Sequence, residues 1–234
     1  MSEKQSSVKR VYNEVRRMAI DFSFKPGQRI NESVLASQLN ASRTPLREAL
    51  NRLTAEGYLS FEAGAGFSCR SLSAERIVEL YELRVAIECE SLRCAVLRAS
   101  DHDIAALHQS LDESEHLYNK DSNATQLLEM DEAFHEQLVA LSGNQEFIRL
   151  LVNLNGRIRF IRLMDFERMR KNSNEKCTNP VRLADHRTIV SALELRDVEA
   201  ALKAMRGHIQ LRLAEATLAV RDAYAQLYAG NEVS

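Results

Sequence analysis

The sequence predicts a mainly α-helical protein, in which a small three-helix domain with a β-hairpin precedes an all-helical bundle of six or seven helices. Three observations predict this fold class. The 234 residues include only 8 Gly and 3 Pro and are rich in the strongest helix formers. Apolar residues recur at helical spacing along most of the chain. Two short apolar runs, Tyr58 to Phe61 and Phe67 to Arg70, are instead typical of a hairpin.

Charge divides the chain into two parts. Residues 1–72 contain 11 Lys and Arg against 7 Asp and Glu, whereas residues 73–234 contain 20 against 26. This asymmetry predicts that the first part of the chain binds a polyanion. Ser73 is a good N-cap for a helix with apolar positions from Ile77 to Ile87 at helical spacing. We therefore predict one domain over 1–72 and a second over 73–234.

Several protein classes are excluded by composition. No run of about 18 apolar residues is present, and the initial segment has no apolar core. The sequence therefore predicts no membrane span, no signal peptide and a cytoplasmic location. The cysteines form no CxxC pair and no zinc-ribbon spacing, so we expect reduced, buried thiols at four positions, Cys69, Cys89, Cys94 and Cys177.

Three helices are predicted in the first domain. The first has a 3.6-residue apolar period between Val8 and Phe22 and ends before the Pro26-Gly27 turn. Asn31 is a good N-cap for a short second helix. Its apolar positions are Val34, Leu35 and Leu39. Asn40-Ala41 then forms a tight turn, because Asn tolerates a positive φ.

The third helix is predicted to begin at an N-cap, Ser42, with Pro45 in its first turn. Its buried stripe consists of Leu46, Leu50 and Leu53. Arg43, Arg47 and Asn51 lie at i, i+4 and i+8 on the opposite face. Two guanidinium groups and an amide on one exposed face suit a DNA major groove, although ordinary surface charge is the alternative. With the hairpin, these helices form a winged helix-turn-helix.

At these residues the sequence resembles the DNA-binding domain of the GntR family of bacterial transcription regulators. The resemblance spans residues 26–72 and is carried by Pro26-Gly27, Leu35-Ala36, the run Ser42 to Leu50, Leu53 and Glu56-Gly57. It implies a double-stranded DNA operator as partner. Arg43, Thr44 and Arg47 match DNA-contacting positions. Gly64 and Gly66 match wing backbone that approaches the phosphates.

Two positions depart from the family pattern. Many members have Arg after the glutamate that opens helix two, where this chain has Ser33. The wing commonly carries Arg-Gly, where this chain has Ala65-Gly66. Whether helix two and the wing contact DNA is therefore left open by the sequence.

The second domain is predicted to consist of helices at about 76–99, 101–118, 124–142, 144–170, 180–195 and 197–228. Polar residues on the apolar stripes are informative, because burying an unpaired charge is costly. Asp131 and His135 share one stripe, and His186 and His208 lie on two others. The two later histidines are about equally far from the Arg196-Asp197 turn, so they reach the same level of adjacent helices.

Three imidazoles and one carboxylate inside a bundle form a ligand set for a divalent metal with an open coordination position. The alternative for any one of these histidines is a core side chain with its hydrogen bonds satisfied. We choose zinc first, with nickel and manganese as alternatives.

The second domain resembles the FCD domain of the FadR subfamily over residues 74–215. The resemblance is carried by Tyr81 to Arg84 with Glu88, by Asp131 to His135 with Ser142 to Asn144, by Asp185-His186 with Ile189, and by Asp197, Ala201, Met205, Arg206 and His208. It implies metal binding by Asp131, His135, His186 and His208. It also implies a small organic acid as effector, whose carboxylate is bound by Arg84.

Ion pairing of Arg84 with Glu88 at i, i+4 is the alternative to effector binding. Arg159 and Arg162 share a face of the following arginine-rich helix and are further candidates for meeting an anion.

The sequence therefore predicts a ligand-responsive DNA-binding regulator, a repressor that acts as a homodimer on a pseudo-palindromic operator. One alternative is a metal sensor, or a regulator with a purely structural ion. A remote alternative is a metalloenzyme, but no general base accompanies the ligands, because Glu132 points about 100° away from Asp131 on the helix.

Overall fold

The computed structural model describes residues 3–117, 122–172 and 180–228, which form nine helices and one two-stranded sheet. The mainly helical fold class is confirmed. Within these ranges no helix combines the length and the apolarity needed to cross a bilayer. Cys69, Cys89 and Cys94 are buried free thiols, and Cys177 lies outside the described residues.

The chain divides into two compact units. The first contains residues up to Arg76 together with the chain from Tyr224 onward, and the second is Ile77–Ala223. The first unit contains helices α1 (Glu3–Ile20), α2 (Glu32–Gln38) and α3 (Arg43–Ala55) and strands β1 (Leu59–Glu62) and β2 (Gly66–Cys69). Helix α1 packs on α3 through a fully buried core that includes Val11, Val15, Leu46, Leu50 and Leu53.

The caps of α2 and α3 differ. The Asn31 side chain accepts hydrogen bonds from the backbone N–H groups of Ser33 and Val34, both at 3.1 Å, as expected for an N-cap. Asn40 has a φ of 45° in the turn that follows. Ser42 occupies the N-cap position of α3, as predicted, but its side chain makes no capping hydrogen bond.

The hairpin is antiparallel, with Leu59 opposite Cys69 and Glu62 opposite Gly66. Gly64 and Gly66 both have a φ of 85°, a conformation that glycine adopts without steric cost. Residues 28–30 extend the sheet beside β2, because Ile30 N donates to Phe67 O at 2.8 Å and Cys69 N donates to Gln28 O at 2.9 Å.

Helices are the only regular elements among the described residues of the second unit. Its helices are α4 (Ala74–Arg98), α5 (Asp101–Leu117), α6 (Ala124–Ala140), α7 (Gln145–Asn172), α8 (Pro180–Glu194) and α9 (Val198–Tyr228). Helix α6 packs against α7 and α5, and α5 also packs against α8. The last turn of α9 belongs to the first unit, where the Tyr224 hydroxyl donates to Leu72 O at 2.5 Å.

Candidate metal centre and DNA-reading face

The outer face of α3 presents the residues predicted to read DNA. Arg43, Thr44, Arg47 and Asn51 are all exposed there. Helix α2 holds both arginines: Arg43 Nη2 donates to Ser33 Oγ at 3.3 Å, and Arg47 Nε lies 3.2 Å from Glu32 Oε2. Gly64 lies in the hairpin turn and Gly66 begins β2, away from this helix in sequence but within the same unit.

Four buried polar residues of the second unit bring their donor atoms together. Asp131 and His135 come from α6, His186 from α8 and His208 from α9. One ligand atom of each lies within 4.8 Å of those of the others. All four side chains are buried. The structure thus gathers the four residues that the helical stripes single out.

The distances within this cluster are short. His135 Nε2 lies 3.2 Å from His208 Nε2 and 3.8 Å from Asp131 Oδ2. His186 Nε2 lies 3.5 Å from Asp131 Oδ1. The ring of Phe134 stacks on His186, with centroids 4.0 Å apart. The cluster can therefore direct several lone pairs at one point between α6, α8 and α9.

Two carboxylates outside the cluster orient its histidines. Glu88 Oε2, on α4, lies 2.5 Å from His135 Nδ1, and Asp185 Oδ2 lies 3.4 Å from His208 Nδ1. When Nδ1–H donates a hydrogen bond to a carboxylate, Nε2 keeps the lone pair, which is how metal-binding histidines are commonly held. The two facing Nε2 atoms are then both acceptors, an arrangement that suits a cation between them.

Burial and charge control the protonation of this region. Burial lowers the pKa of His208 to about 4, although its contact with Asp185 acts in the opposite direction. A neutral imidazole is the form that coordinates metals. Burial alone would raise the pKa of the Glu88 carboxyl, but Arg84 and His135 outweigh it and hold that pKa well below its usual range. Glu88 is therefore an anion inside the bundle.

Arg84 is the largest fully buried side chain among the described residues. Its Nε donates to Glu88 Oε1 at 2.5 Å, so the i, i+4 ion pair is present. Its Nη1 and Nη2 atoms are buried and have no hydrogen-bond partner within the described part of the chain. The same guanidinium thus combines an ion pair with two donors left for a ligand.

The two arginines of α7 have different surroundings. Arg162 is buried and donates to Asp131 Oδ2 and, at 3.4 Å, to Asn155 Oδ1. Arg159 is more exposed and pairs with Glu129 Oε1 at 3.2 Å and with Glu132. Arg162 therefore contacts the four-residue polar cluster, whereas Arg159 pairs with carboxylates outside it.

Sequence reasoning missed three neighbours of the cluster. It placed Glu88 only as a partner of Arg84, and it assigned no role to Asp185 or Phe134. Asp185 directly precedes His186 on α8, yet its carboxylate faces His208 on α9. No spacing rule indicates that pairing, because it depends on how α8 packs against α9.

A winged helix-turn-helix joined to a helical unit with a buried polar cluster defines a class of DNA-binding regulators. Comparison with known proteins agrees. Residues 7–68 match the bacterial regulatory proteins of the gntR family, and residues 79–211 match the FCD domain. The chain belongs to the GntR family and is a DNA-binding transcription regulator, not an enzyme.

Full-length relatives support this assignment. The chain is 39% identical over 217 residues to the Nta operon transcriptional regulator of Aminobacter aminovorans, covering 93% of this chain and 98% of that protein. It is 25% identical to the transcriptional repressor RspR of Escherichia coli K12, covering 86% and 84%. Among solved structures, E. coli McbR/YncC shares the fold with a TM-score of 0.69 at 20% identity, covering 92% of this chain and 98% of that one.

Proposed function

We propose that this regulator senses a small carboxylate at a divalent metal ion bound in its second unit. One observation carries the proposal: four buried donor atoms lie within 4.8 Å of one another, and a buried guanidinium with two unpartnered Nη atoms lies on the neighbouring α4. A bound cation would offset part of the cost of burying these polar groups, in addition to the ion pair that Asp131 makes with Arg162.

The donor set suits a divalent metal. Three imidazoles and one carboxylate are ligands for zinc, our first choice, and for nickel or manganese. Asp131, His135, His186 and His208 would hold the ion, with Glu88 and Asp185 orienting two of the imidazoles. The ion would supply an electrophilic position for an oxygen ligand.

Arg84 is our candidate for binding the other side of the carboxylate. A guanidinium binds a carboxylate through two parallel N–H donors, and Arg84 has Nη1 and Nη2 available. Its charge acts on the Asp131 carboxylate and disfavours protonation of His208, so it acts on the same region as the proposed metal ligands. Arg162, which contacts Asp131, is the second candidate, and Arg159 is the third.

We further propose a cytoplasmic homodimer that represses transcription from a pseudo-palindromic operator. Two recognition helices related by a twofold axis reach useful affinity where one does not. The relative from E. coli K12 is named a transcriptional repressor. Carboxylate binding would lower operator affinity by a coupling free energy of about 1 to 3 kcal/mol.

A thermal-shift screen of small carboxylic and sugar acids, with and without a chelator, tests the proposal. A ligand that binds only the native state stabilises it in proportion to the logarithm of its concentration over Kd. We expect at least one acid to raise Tm in the metal-loaded protein, and chelation to abolish that shift.

The same screen separates the alternatives. If chelation alone lowers Tm and no acid has an effect, the ion is structural or is itself the signal, and the carboxylate proposal is wrong. Titration of operator binding with the acid then checks the regulatory step, because an effector that leaves operator affinity unchanged is not the inducer.

A further inference from the structure

The wing of this protein has no positive charge of its own. Between Leu59 and Cys69 the only charged residue is Glu62. The turn residues from Ala63 to Gly66 carry no side chain larger than a methyl group. Such a turn lets a phosphate backbone come close, but it cannot neutralise a phosphate charge.

Arg29 places a cation beside this turn from outside the hairpin. It pairs with Ser68 in a β-bridge on the edge of β2 that faces away from β1. Its neighbour Ile30 is buried, so the alternation along an extended segment leaves Arg29 exposed. Long side chains reach the diagonal neighbour two residues along the partner strand. The Arg29 Nε and Nη2 atoms accordingly lie 3.9 Å from the point where a Cβ on Gly66 would lie.

Arg29 also differs from the other arginines up to Leu72. Each of the others has a hydrogen bond or ion pair within the protein: Arg10, Arg16, Arg17, Arg43, Arg47, Arg52 and Arg70. Arg29 has no such partner among the described residues. An exposed arginine held beside the wing without a protein partner stabilises little by itself and is available to an external anion.

We infer that Arg29 binds a DNA phosphate beside the wing, supplying the charge that the hairpin lacks. The inference depends on operator binding by this unit and adds a contact outside the recognition helix. A phosphate contact carries no base specificity, so Arg29 sets affinity and salt dependence, whereas α3 sets the sequence that is read.

The test is an anisotropy titration of the full chain with a labelled duplex that the wild type selects from a random-sequence pool. We expect Arg29→Ala to reduce the slope of log K against log[salt] by about 0.9 for each phosphate that the variant no longer neutralises. Binding should weaken about equally for base-substituted duplexes, since Arg29 touches no base. Arg29→Lys should retain most of the slope.

Two further variants make the test specific. Arg149→Ala removes the same charge from an exposed position of α7 and should leave the slope unchanged. Ala65→Arg, combined with Arg29→Ala, should restore the slope by returning a cation to the wing. A wild-type slope for Arg29→Ala, or an equal loss for Arg149→Ala, would overturn the inference.

Failure of the inference is separable from failure of the DNA-reading face. If Arg29→Ala binds like the wild type while Arg47→Ala loses affinity, only the role of Arg29 is wrong. Arg29→Ala should keep the wild-type Tm, because Arg29 has no hydrogen bond to lose within the described residues. Arg29→Gln serves as a second neutral variant.

Discussion

The Nε2 atoms of His135 and His208 face each other at 3.2 Å, and the Nδ1 atom of each ring faces a different carboxylate. When Nδ1–H donates a hydrogen bond to its carboxylate, the lone pair of the ring is on Nε2. Both lone pairs then point at the space between the rings, where a divalent cation would be coordinated by each. The predictions for the cluster follow from that arrangement.

Glu88→Gln should weaken metal binding about 10- to 100-fold, the usual effect of losing a carboxylate that orients a ligating histidine. The carboxylate at His135 Nδ1 fixes the ring and makes Nε2 a better donor. Competition with a chromophoric chelator measures the affinity. Glu90→Gln is the control, because Glu90 lies on the same helix but is exposed and pairs with Arg93. Equal affinities for the two variants would remove Glu88 from the metal centre.

His208→Ala should abolish metal binding and the response to carboxylates while sparing DNA binding by the first unit. His208 supplies the donor that α9 brings to the cluster. Metal content and operator anisotropy give the two readouts. His102→Ala is the matched control, since that imidazole is 93% exposed and lies outside the cluster. Loss of DNA binding in His208→Ala alone would instead mean that the ion maintains the DNA-binding form.

Arg84→Lys should keep the metal but bind the carboxylate at least about tenfold more weakly, because one ammonium replaces a two-pronged donor. Lysine retains the positive charge that Glu88 requires, whereas removing it would leave a buried anion unpaired at a cost of about 3 to 5 kcal/mol. The acid-dependent Tm shift measures the effect. Arg93→Lys, on the exposed side of the same helix, should behave like the wild type.

Arg47→Ala should weaken specific operator binding by about 1 to 3 kcal/mol, the range for one base contact, and should leave the fold intact. Arg52→Ala removes the same charge from α3, but from the side where Arg52 pairs with Glu56 and covers the Tyr12 ring. Anisotropy with specific and scrambled duplexes distinguishes the two variants. Unchanged specificity in Arg47→Ala would place sequence reading elsewhere.

The stability of the first unit should depend on the ionisation of Tyr12, whose hydroxyl donates to Glu56 Oε2 at 2.6 Å. Burial, then the Glu56 carboxylate, raises the pKa of Tyr12 to about 12 from 10.0. The stabilisation that the neutral Tyr12 hydroxyl gives the folded state is therefore complete below pH 10 and is lost as pH rises toward 12. Tyrosine absorbance during an alkaline titration should show one more late-titrating group in the wild type than in Tyr12→Phe. Identical curves would contradict this.

The helices and the inward polar residues were accessible from sequence because both depend on local spacing. A helical period identifies which residues share a buried face, and the Arg196-Asp197 turn sets the level at which His186 and His208 meet. Val34 shows the limit of this reasoning: it lies on a predicted apolar stripe but is 51% exposed. Helix α2 has only seven residues and buries Leu35, as predicted, together with Ala36.

The remaining features depend on contacts between segments distant in sequence. Glu88 meets His135 across 47 positions, and the Asp185 carboxylate faces His208 and not its neighbour His186. Arg29 reaches the wing only because residues 28–30 pair with β2. Side-chain spacing within one helix contains no information on these pairings, so they require the packed structure.

The contact between Arg47 and Glu32 affects the entropy of DNA binding. A free arginine side chain has about 2 kcal/mol of rotamer entropy to lose when it is ordered. Glu32 already restricts Arg47, and Ser33 restricts Arg43, before any DNA is present. An exposed ion pair contributes only about 0 to 1 kcal/mol, so a base can replace Glu32 at little cost. We therefore expect the recognition helix to meet the major groove with part of its ordering already complete.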